Sequence, residues 1–106
     1  PNVDVLSPAY SYPFPDNSFD IVISGSTAEH VERPWLWMPE LARVLRSGGL
    51  LAIVTHRSFE EHRYPVDCWR FMKDVLKVLF DDTGVLTEYE IYYPSVEDIA
   101  ASAIKI

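Results

Sequence analysis

Apolar residues run almost unbroken through one short stretch of this chain, residues 19–23 (Phe-Asp-Ile-Val-Ile). Such a run is typical of a strand covered on both faces. A proline-containing turn over residues 13–18 precedes it. Three small residues follow it, and small residues let another group approach the backbone closely: Ser24, Gly25 and Ser26. The pattern predicts a buried strand over 19–24 whose carboxyl end opens into a polar loop, where open α/β sheets bind ligands.

A helix and a second buried strand are predicted next. The helix is placed at about 37–46, because apolar side chains recur there at the spacing of one helix face. Pro39 either starts this helix near Trp37 or kinks it, and the glycine pair at 48–49 is expected to end it. Residues 50–55 are again apolar. The order strand, helix, strand predicts a right-handed parallel crossover.

The remainder of the chain adds three predicted elements. A helix is expected at about 68–82, with Asp67 as its N-cap. Residues 85–93 alternate with period two, as in a half-buried strand. The pattern of residues 98–106 is compatible with a helix and with a strand. Residues 3–6 also alternate, and we expect a short strand there. The chain is therefore predicted to be a single α/β domain over residues 1–106.

Composition narrows the possible partners. The formal charge of −7 argues against a nucleic-acid footprint or an anionic membrane surface, since both need clustered cations. A lone cysteine, Cys68, cannot form an internal disulfide, which favours a reducing cytoplasm. No secretory leader pattern stands at the start of the chain. The longest apolar run, 50–54, is too short to span a bilayer.

Candidate chemistry follows the two buried strands. The three histidines, His30, His56 and His62, are possible bases because only histidine has an unperturbed pKa near neutrality. Glu29 has two open interpretations: a capping-box residue of a short helical turn, or part of a site. His56, His62 and Cys68, with five residues between successive members, match no zinc pattern. The sequence therefore predicts no metal site.

Several motifs in order carry a family resemblance. Residues 13–24, 28–31, 40–50 and 62–71 resemble segments of class I S-adenosylmethionine-dependent methyltransferases of the type 11-like group. The family usually has proline at the position of Ser47. The resemblance covers about residues 2–80 and concerns the carboxyl-terminal portion of the family's domain. The family's glycine-rich cofactor loop does not occur in the sequence, and the chain is expected to be a truncated domain. Its first residue, Pro1, leaves open whether an initiator Met was removed or the chain is a piece of a longer one.

The resemblance implies a partial Rossmann-like sheet and one shared site, in which His30 and residues 62–64 face the same cavity as residues 24–26. The fold would have strands at about 19–24, 50–55, 85–93 and 98–106, the last one antiparallel, and helices at about 37–46 and 68–82. S-adenosylmethionine would lie against the small-residue loop formed by Ser24, Gly25 and Ser26. The bases would be His30, His56 and His62. Substrate would contact Glu29, Arg63, Tyr64 and Asp67. Ser7-Pro8-Ala9 stands where the family often has an acidic residue near the adenine, which weakens that contact.

Two functions remain open. One is a methyltransferase portion acting on a small molecule or saccharide, inactive as this chain alone. The other is a non-catalytic remnant acting as a dimeric binding or interaction module. Without the glycine-rich loop we expect weak or absent cofactor binding. We also expect a homodimer through the exposed edge of strand 19–24, unless residues 3–6 fold back to cover that edge. The gene upstream would separate the two functions if it encoded that loop.

Overall fold

The computed structural model describes residues 3–63 and 65–106. One four-stranded sheet, ordered β1-β2-β4-β3, forms its centre. The β1–β2 pair is parallel and the other two pairs are antiparallel. This architecture confirms the predicted α/β class. In chain order the elements are β1 (Phe19–Gly25), a 3₁₀ turn (Ala28–His30), α1 (Pro34–Val44), β2 (Leu45–His56), α2 (Lys73–Asp82), β3 (Leu86–Tyr92) and β4 (Asp98–Lys105).

The β1–α1–β2 unit brings two strand ends together. Its ladder pairs Ile21 with Leu50 and Gly25 with Val54. One residue beyond β1, the N–H of Ser26 still donates to the carbonyl of Val54 at 2.9 Å. The predicted parallel crossover is therefore confirmed. Because parallel strands run the same way, the loops that follow β1 and β2 leave the sheet at one edge.

The first helix starts and stops earlier than predicted. The expected start near Trp37 is wrong, because Pro34 occupies the first turn, where its missing N–H costs nothing. Pro39 lies inside the helix. The expected end at 46 is also wrong, since the helix ends at Val44. The turn before β1 supplies donors there, including the N–H of Ser18 to the Val44 carbonyl at 2.8 Å.

The glycine pair therefore lies in β2 instead of ending a helix. Gly48 has φ +81°, a value that favours glycine. An added Cβ on Gly49 would lie 2.8 Å from the Asp20 carbonyl oxygen, so the backbones approach closely there. β2 is consequently longer than the predicted 50–55.

The second helix begins at Lys73, not at 68, and its N-cap is Met72. The prediction of Asp67 as N-cap is wrong, because that carboxylate is bonded within the preceding loop. The helix ends as predicted at Thr83 and Gly84, the latter with φ +70°.

The last segment forms a strand, which settles the helix-or-strand alternative. β4 pairs antiparallel with both β2 and β3, as the family resemblance implied. Its residues Ile99 and Ala103 are fully buried. Residues 3–6, by contrast, form no strand, and Leu6 is 87% exposed. The predicted amino-terminal strand is therefore wrong.

The core draws on both helices and on the inner strands. Its largest fully buried side chains include Met38, Leu51, Ile53, Phe80 and Ile99. The predicted burial of β1 on both faces is wrong, because nothing among the described residues covers Ile21 and Ile23 on this edge strand, and they are 56% and 76% exposed. Within residues 3–63 and 65–106, neither helix is long and apolar enough to cross a membrane.

Candidate functional site

The carboxyl end of β1 offers an unpartnered hydroxyl beside a cavity. Ser24 is buried, and its hydroxyl oxygen has no hydrogen-bond partner among the described residues. An added Cβ on Gly25 would meet no atom within 4 Å. Ser26 has φ +51°, at the sharp turn out of the strand. A cavity of about 300 Å³ lies here, and its lining includes Tyr12, Ser24, Gly25, Thr27 and Trp37.

Glu29 is a fully buried carboxylate on the 3₁₀ turn. Its Oε1 accepts a hydrogen bond from the Thr55 hydroxyl at 2.6 Å. Its Oε2 has no hydrogen-bond partner in the described part of the chain. The capping-box interpretation is wrong, because the N-cap Thr27 makes no side-chain capping bond and its hydroxyl donates to the Gly25 carbonyl at 3.1 Å.

All three histidines converge on that unpaired oxygen. The Nε2 atoms of His56, His30 and His62 lie 3.4, 3.6 and 3.7 Å from Glu29 Oε2. The ring centroids of His30 and His62 are 4.8 Å apart, and those of His56 and His62 are 5.3 Å apart. The structure thus brings together the three predicted bases, which are far apart in sequence. We call Glu29 and these three rings the histidine cluster.

The outer nitrogen of each ring faces an acceptor. His56 Nδ1 lies 3.0 Å from Asp98 Oδ1 and His30 Nδ1 lies 2.5 Å from the Val66 carbonyl. His62 Nδ1 lies 3.2 Å from the Glu60 carbonyl. A neutral imidazole that donates from Nδ1 carries its lone pair on Nε2. The neighbours of the cluster therefore favour a tautomer in which all three lone pairs point inward.

Asp67 fixes the loop that carries His62. Its Oδ2 accepts the backbone N–H of His62 at 2.7 Å, and both of its oxygens accept hydrogen bonds from Arg70 at 2.8 Å. These Arg70 bonds, with the His62 N–H, hold the pKa of the Asp67 carboxyl well below its usual range. Asp67 is therefore a positioning residue for the cluster.

The other two predicted substrate contacts are Arg63 and Tyr64. Arg63 is exposed, and Tyr64 lies outside the described residues. Among the described residues, the lining of the cavity at Ser24 and Gly25 contains no histidine. Residues Ser24–Ser26 and the histidine cluster both lie at the carboxyl ends of the parallel strands β1 and β2. The histidines of the cluster nevertheless do not line the cavity at Ser24 and Gly25.

Three residues of the site were missed at the sequence level. Thr55 holds Glu29, Asp98 holds His56, and the ring of Phe59 stacks on His56 with centroids 4.5 Å apart. Asp98 stands opposite His56 in the β2–β4 ladder. That pairing becomes visible only once the register of the two strands is known.

Known proteins resemble this chain in amino-acid sequence as well as in fold. Residues 2–53 match the family model described as "Methyltransferase domain". An uncharacterized methyltransferase of Mycobacterium tuberculosis is 42% identical over 53 residues, which is 50% of this chain and 21% of that protein. One from Mycobacterium avium is 45% identical over 49 residues, 46% of this chain and 19% of that protein. The chain thus spans about a fifth of the length of the curated relatives it matches.

Solved structures share the fold at low identity. A methyltransferase from Archaeoglobus fulgidus superposes with TM-score 0.77 at 16% identity, over 95% of this chain and 66% of that one. A Thermotoga maritima methyltransferase, described as a possible histamine N-methyltransferase, gives 0.74 at 18%, over 94% and 62%. A Haemonchus contortus phosphoethanolamine N-methyltransferase, in complex with S-adenosylhomocysteine, gives 0.76 at 13%, over 92% and 36%.

The β1–α1–β2 unit and these likenesses define a methyltransferase-like, Rossmann-type domain. The match over residues 2–53 and the methyltransferase relatives support the class I S-adenosylmethionine-dependent methyltransferase family. The resemblance found in the sequence motifs is confirmed.

Proposed function

We propose that this chain supplies the acceptor side of an S-adenosylmethionine-dependent methyl transfer to a small molecule or saccharide. The observation that carries the proposal is the convergence of three imidazole Nε2 atoms on one buried carboxylate oxygen. This cluster lies beside the carboxyl ends of β1 and β2, as residues Ser24–Ser26 do. Ligands of open α/β sheets bind at that edge.

The residues of the small-residue loop fit the implied cofactor. The unpartnered Ser24 hydroxyl can donate a hydrogen bond to it, and the open space at Gly25 allows close backbone approach. We propose that Ser24, Gly25 and Ser26 contact its methionine portion. When bound, S-adenosylmethionine supplies a sulfonium methyl group, which is transferred by direct displacement without a covalent enzyme nucleophile.

The histidine cluster supports removal of a proton from the acceptor. An inward Nε2 lone pair on His30, His56 or His62 accepts the proton that a hydroxyl or amine loses. The Glu29 carboxylate lies within 3.7 Å of each Nε2 and attracts the positive charge that the ring gains. Asp67 and the Oε1 atom of Glu29 already have partners inside the protein, so in this proposal both residues orient the rings. Arg63 and Tyr64 remain the proposed substrate contacts.

Binding to the isotopically labelled chain tests the cofactor assignment. S-adenosylhomocysteine is titrated into ¹⁵N-labelled protein up to millimolar concentration, and amide shifts are followed. We expect weak binding, with the largest shifts at Ser24–Ser26, and we expect Ser24→Ala to reduce them. The matched control is Ser47→Ala, at an exposed position of β2. An absence of shifts at Ser24–Ser26, or shifts unchanged by Ser24→Ala, would contradict the assignment. A micromolar or tighter dissociation constant would show that these loops suffice for cofactor binding and would favour a catalytic chain.

A second candidate function, a dimeric interaction module, is favoured by the position of β1 at the edge of the sheet. The side chains of Ile21 and Ile23 on this strand are exposed. Residues 19–25 contain no lysine or proline to discourage pairing with another strand. We propose a homodimer formed through this edge. Sedimentation equilibrium at tens of micromolar should then give a mass above the 12.2 kDa monomer. Ile23→Lys should restore the monomer, whereas Ile106→Lys, at another exposed isoleucine, should not. A wild-type monomer would end this proposal.

We place this function in the cytoplasm, with a small-molecule ligand and without nucleic-acid or membrane partners. The net charge of −7 disfavours polyanionic surfaces. Cys68 is a free, exposed thiol, which suits a reducing compartment.

A further inference from the structure

The geometry points to a divalent transition-metal site formed by Glu29, His56 and His62, with Zn²⁺ as the best-matched ion. One ligand atom from each of these residues lies within 4.8 Å of the others. The set combines two imidazoles with one carboxylate, a ligand combination that catalytic zinc sites use. The sequence predicts no site formed by His56, His62 and Cys68, whereas this set contains the buried Glu29 in place of the exposed Cys68.

The distances suit a shared ion better than direct hydrogen bonds. Glu29 Oε2 lies 3.4 Å from His56 Nε2 and 3.7 Å from His62 Nε2. Hydrogen bonds between such atoms are about 2.7–3.2 Å long. Two ligand atoms each about 2.1 Å from a tetrahedral ion are about 3.4 Å apart. Both carboxylate–imidazole distances thus match the spacing expected around one small cation.

The unpaired oxygen Oε2 of Glu29 is a second, independent observation that supports a metal site. Glu29 is fully buried, yet its Oε2 has no hydrogen bond in the described part of the chain. A buried polar group without a partner is costly. A bound cation would satisfy this oxygen and also offset the buried negative charge.

The neighbours of the ligands are those of a metal site. Metal-binding histidines usually donate their other ring N–H to a carboxylate or a carbonyl. His56 Nδ1 faces Asp98 at 3.0 Å, and His62 Nδ1 faces the Glu60 carbonyl at 3.2 Å. Thr55 holds the other oxygen of Glu29 at 2.6 Å. Each of the three ligands is therefore oriented by a second group.

Ligand type selects the ion. Mg²⁺ and Ca²⁺ prefer sites built from oxygen, whereas imidazole suits zinc and its first-row neighbours. Three protein ligands leave a fourth tetrahedral position free for a water molecule or a substrate atom. His30, whose Nε2 is 3.6 Å from Glu29 Oε2, borders this site and is the proposed base whose lone pair stays free when the ion is bound. The metal proposal goes beyond methyl transfer and does not depend on it.

Direct titration of the metal-free chain tests the site. Zn²⁺ alone is added in a calorimeter, and thermal unfolding is recorded with and without it. We expect one ion per chain and a raised unfolding temperature, because an ion that binds only the folded state stabilises it. Mg²⁺ and Ca²⁺ should bind far more weakly. No heat of binding with no thermal shift, or equal binding of Mg²⁺, would overturn the proposal.

Variants identify the ligands. Glu29→Gln and His62→Gln should each reduce Zn²⁺ affinity more than about 100-fold, and Asp98→Asn about 10- to 100-fold through His56. Cys68→Ser is the control and should leave affinity unchanged. Circular dichroism confirms that each variant folds. Unchanged affinity in the folded Glu29→Gln and His62→Gln variants, or a loss in Cys68→Ser, would overturn this ligand set.

A cobalt spectrum of the wild-type chain tests the ligand set without any substitution. Co²⁺ bound by two imidazoles and a carboxylate should give tetrahedral d–d absorption without a thiolate charge-transfer band. A thiolate band would assign the ion to Cys68 and overturn the set. These measurements contain no cofactor and no acceptor, so their failure would leave the methyl-transfer proposal standing.

Discussion

Thr55 donates its hydroxyl hydrogen to Glu29 Oε1 at 2.6 Å, and both side chains are buried. This bond ties the last residues of β2 to the 3₁₀ turn after β1. It therefore fixes the position of the carboxylate around which the histidines gather.

Removal of this bond should destabilise the fold. Thr55→Val keeps the shape of the side chain but leaves a buried carboxylate oxygen without its donor. We expect a loss of about 1–3 kcal/mol in the free energy of unfolding, measured by urea denaturation. Thr27→Val is the control, because its hydroxyl bond is exposed, and it should cost less than about 0.5 kcal/mol. Equal effects of the two variants would contradict a special role for the Thr55–Glu29 bond.

The Glu40–Arg43 pair should make stability depend on acid pH. Hydrogen bonds from Arg43, together with one from the Tyr12 N–H, lower the pKa of Glu40 below its ordinary 4.5, although burial opposes this. A lowered folded-state pKa means that the stabilisation is complete above about pH 4.5 and is lost as the pH falls through the folded value.

A comparison across pH measures this contribution. At pH 6 we expect Glu40→Gln to be less stable than wild type by about 1–3 kcal/mol. The difference should shrink steadily towards pH 3 in urea denaturation. Glu90→Gln, at an exposed strand position, is the matched control. A Glu40→Gln deficit that stays constant from pH 6 to pH 3 would contradict the assignment.

Asp67→Asn separates a loop function from a helix-capping function. The Asp67 carboxylate accepts hydrogen bonds from Arg70 and from the His62 N–H. It lies outside α2, which begins at Lys73. We therefore expect a lower unfolding free energy, measured by urea denaturation, and an unchanged helical signal in far-ultraviolet circular dichroism. Asp74→Asn, in the first turn of α2, serves as the comparison. A fall in helical signal for Asp67→Asn alone would show that it caps the helix after all.

Substitution by alanine should destabilise the fold at Gly49 but not at Gly25. A Cβ at Gly49 would lie 2.8 and 2.9 Å from the carbonyl oxygens of Asp20 and Arg46, so Gly49→Ala should cost about 1–3 kcal/mol. Gly25→Ala meets no atom within 4 Å and should change stability little. If Gly25 borders the cofactor, that same variant should weaken the amide shifts induced by S-adenosylhomocysteine. Similar destabilisation by both variants would refute the packing argument.

Local patterns predicted the strands better than they predicted the site. The apolar runs at 19–23 and 50–54 indicate strands by residue type, so both strands and their parallel pairing could be inferred, although the burial predicted for the first run is wrong. The first turn of α2 could not, because Asp67 is a good N-cap by type but bonds Arg70 instead. Partners within the same loop, Arg70 and the His62 N–H, therefore outweighed helix capping.

The histidine cluster was only partly accessible from sequence. The three histidines could be proposed as bases from their chemistry and their places after strands. Glu29 remained divided between a cap and a site residue, because burial of a carboxylate on a polar turn leaves no mark in the pattern. Asp98 was missed because its contact with His56 depends on the register of β2 and β4.

The sheet order β1-β2-β4-β3 has a consequence for synthesis. The strand made last, β4, is inserted between two strands made before it. β3 therefore has no neighbour in the sheet until residues 98–105 have left the ribosome, and the apolar run of β2 stays open on one side meanwhile. Pairings between distant parts of a chain form slowly, and unpaired apolar edges invite aggregation. Nascent chains of this protein should therefore need chaperone protection until residues 98–105 emerge.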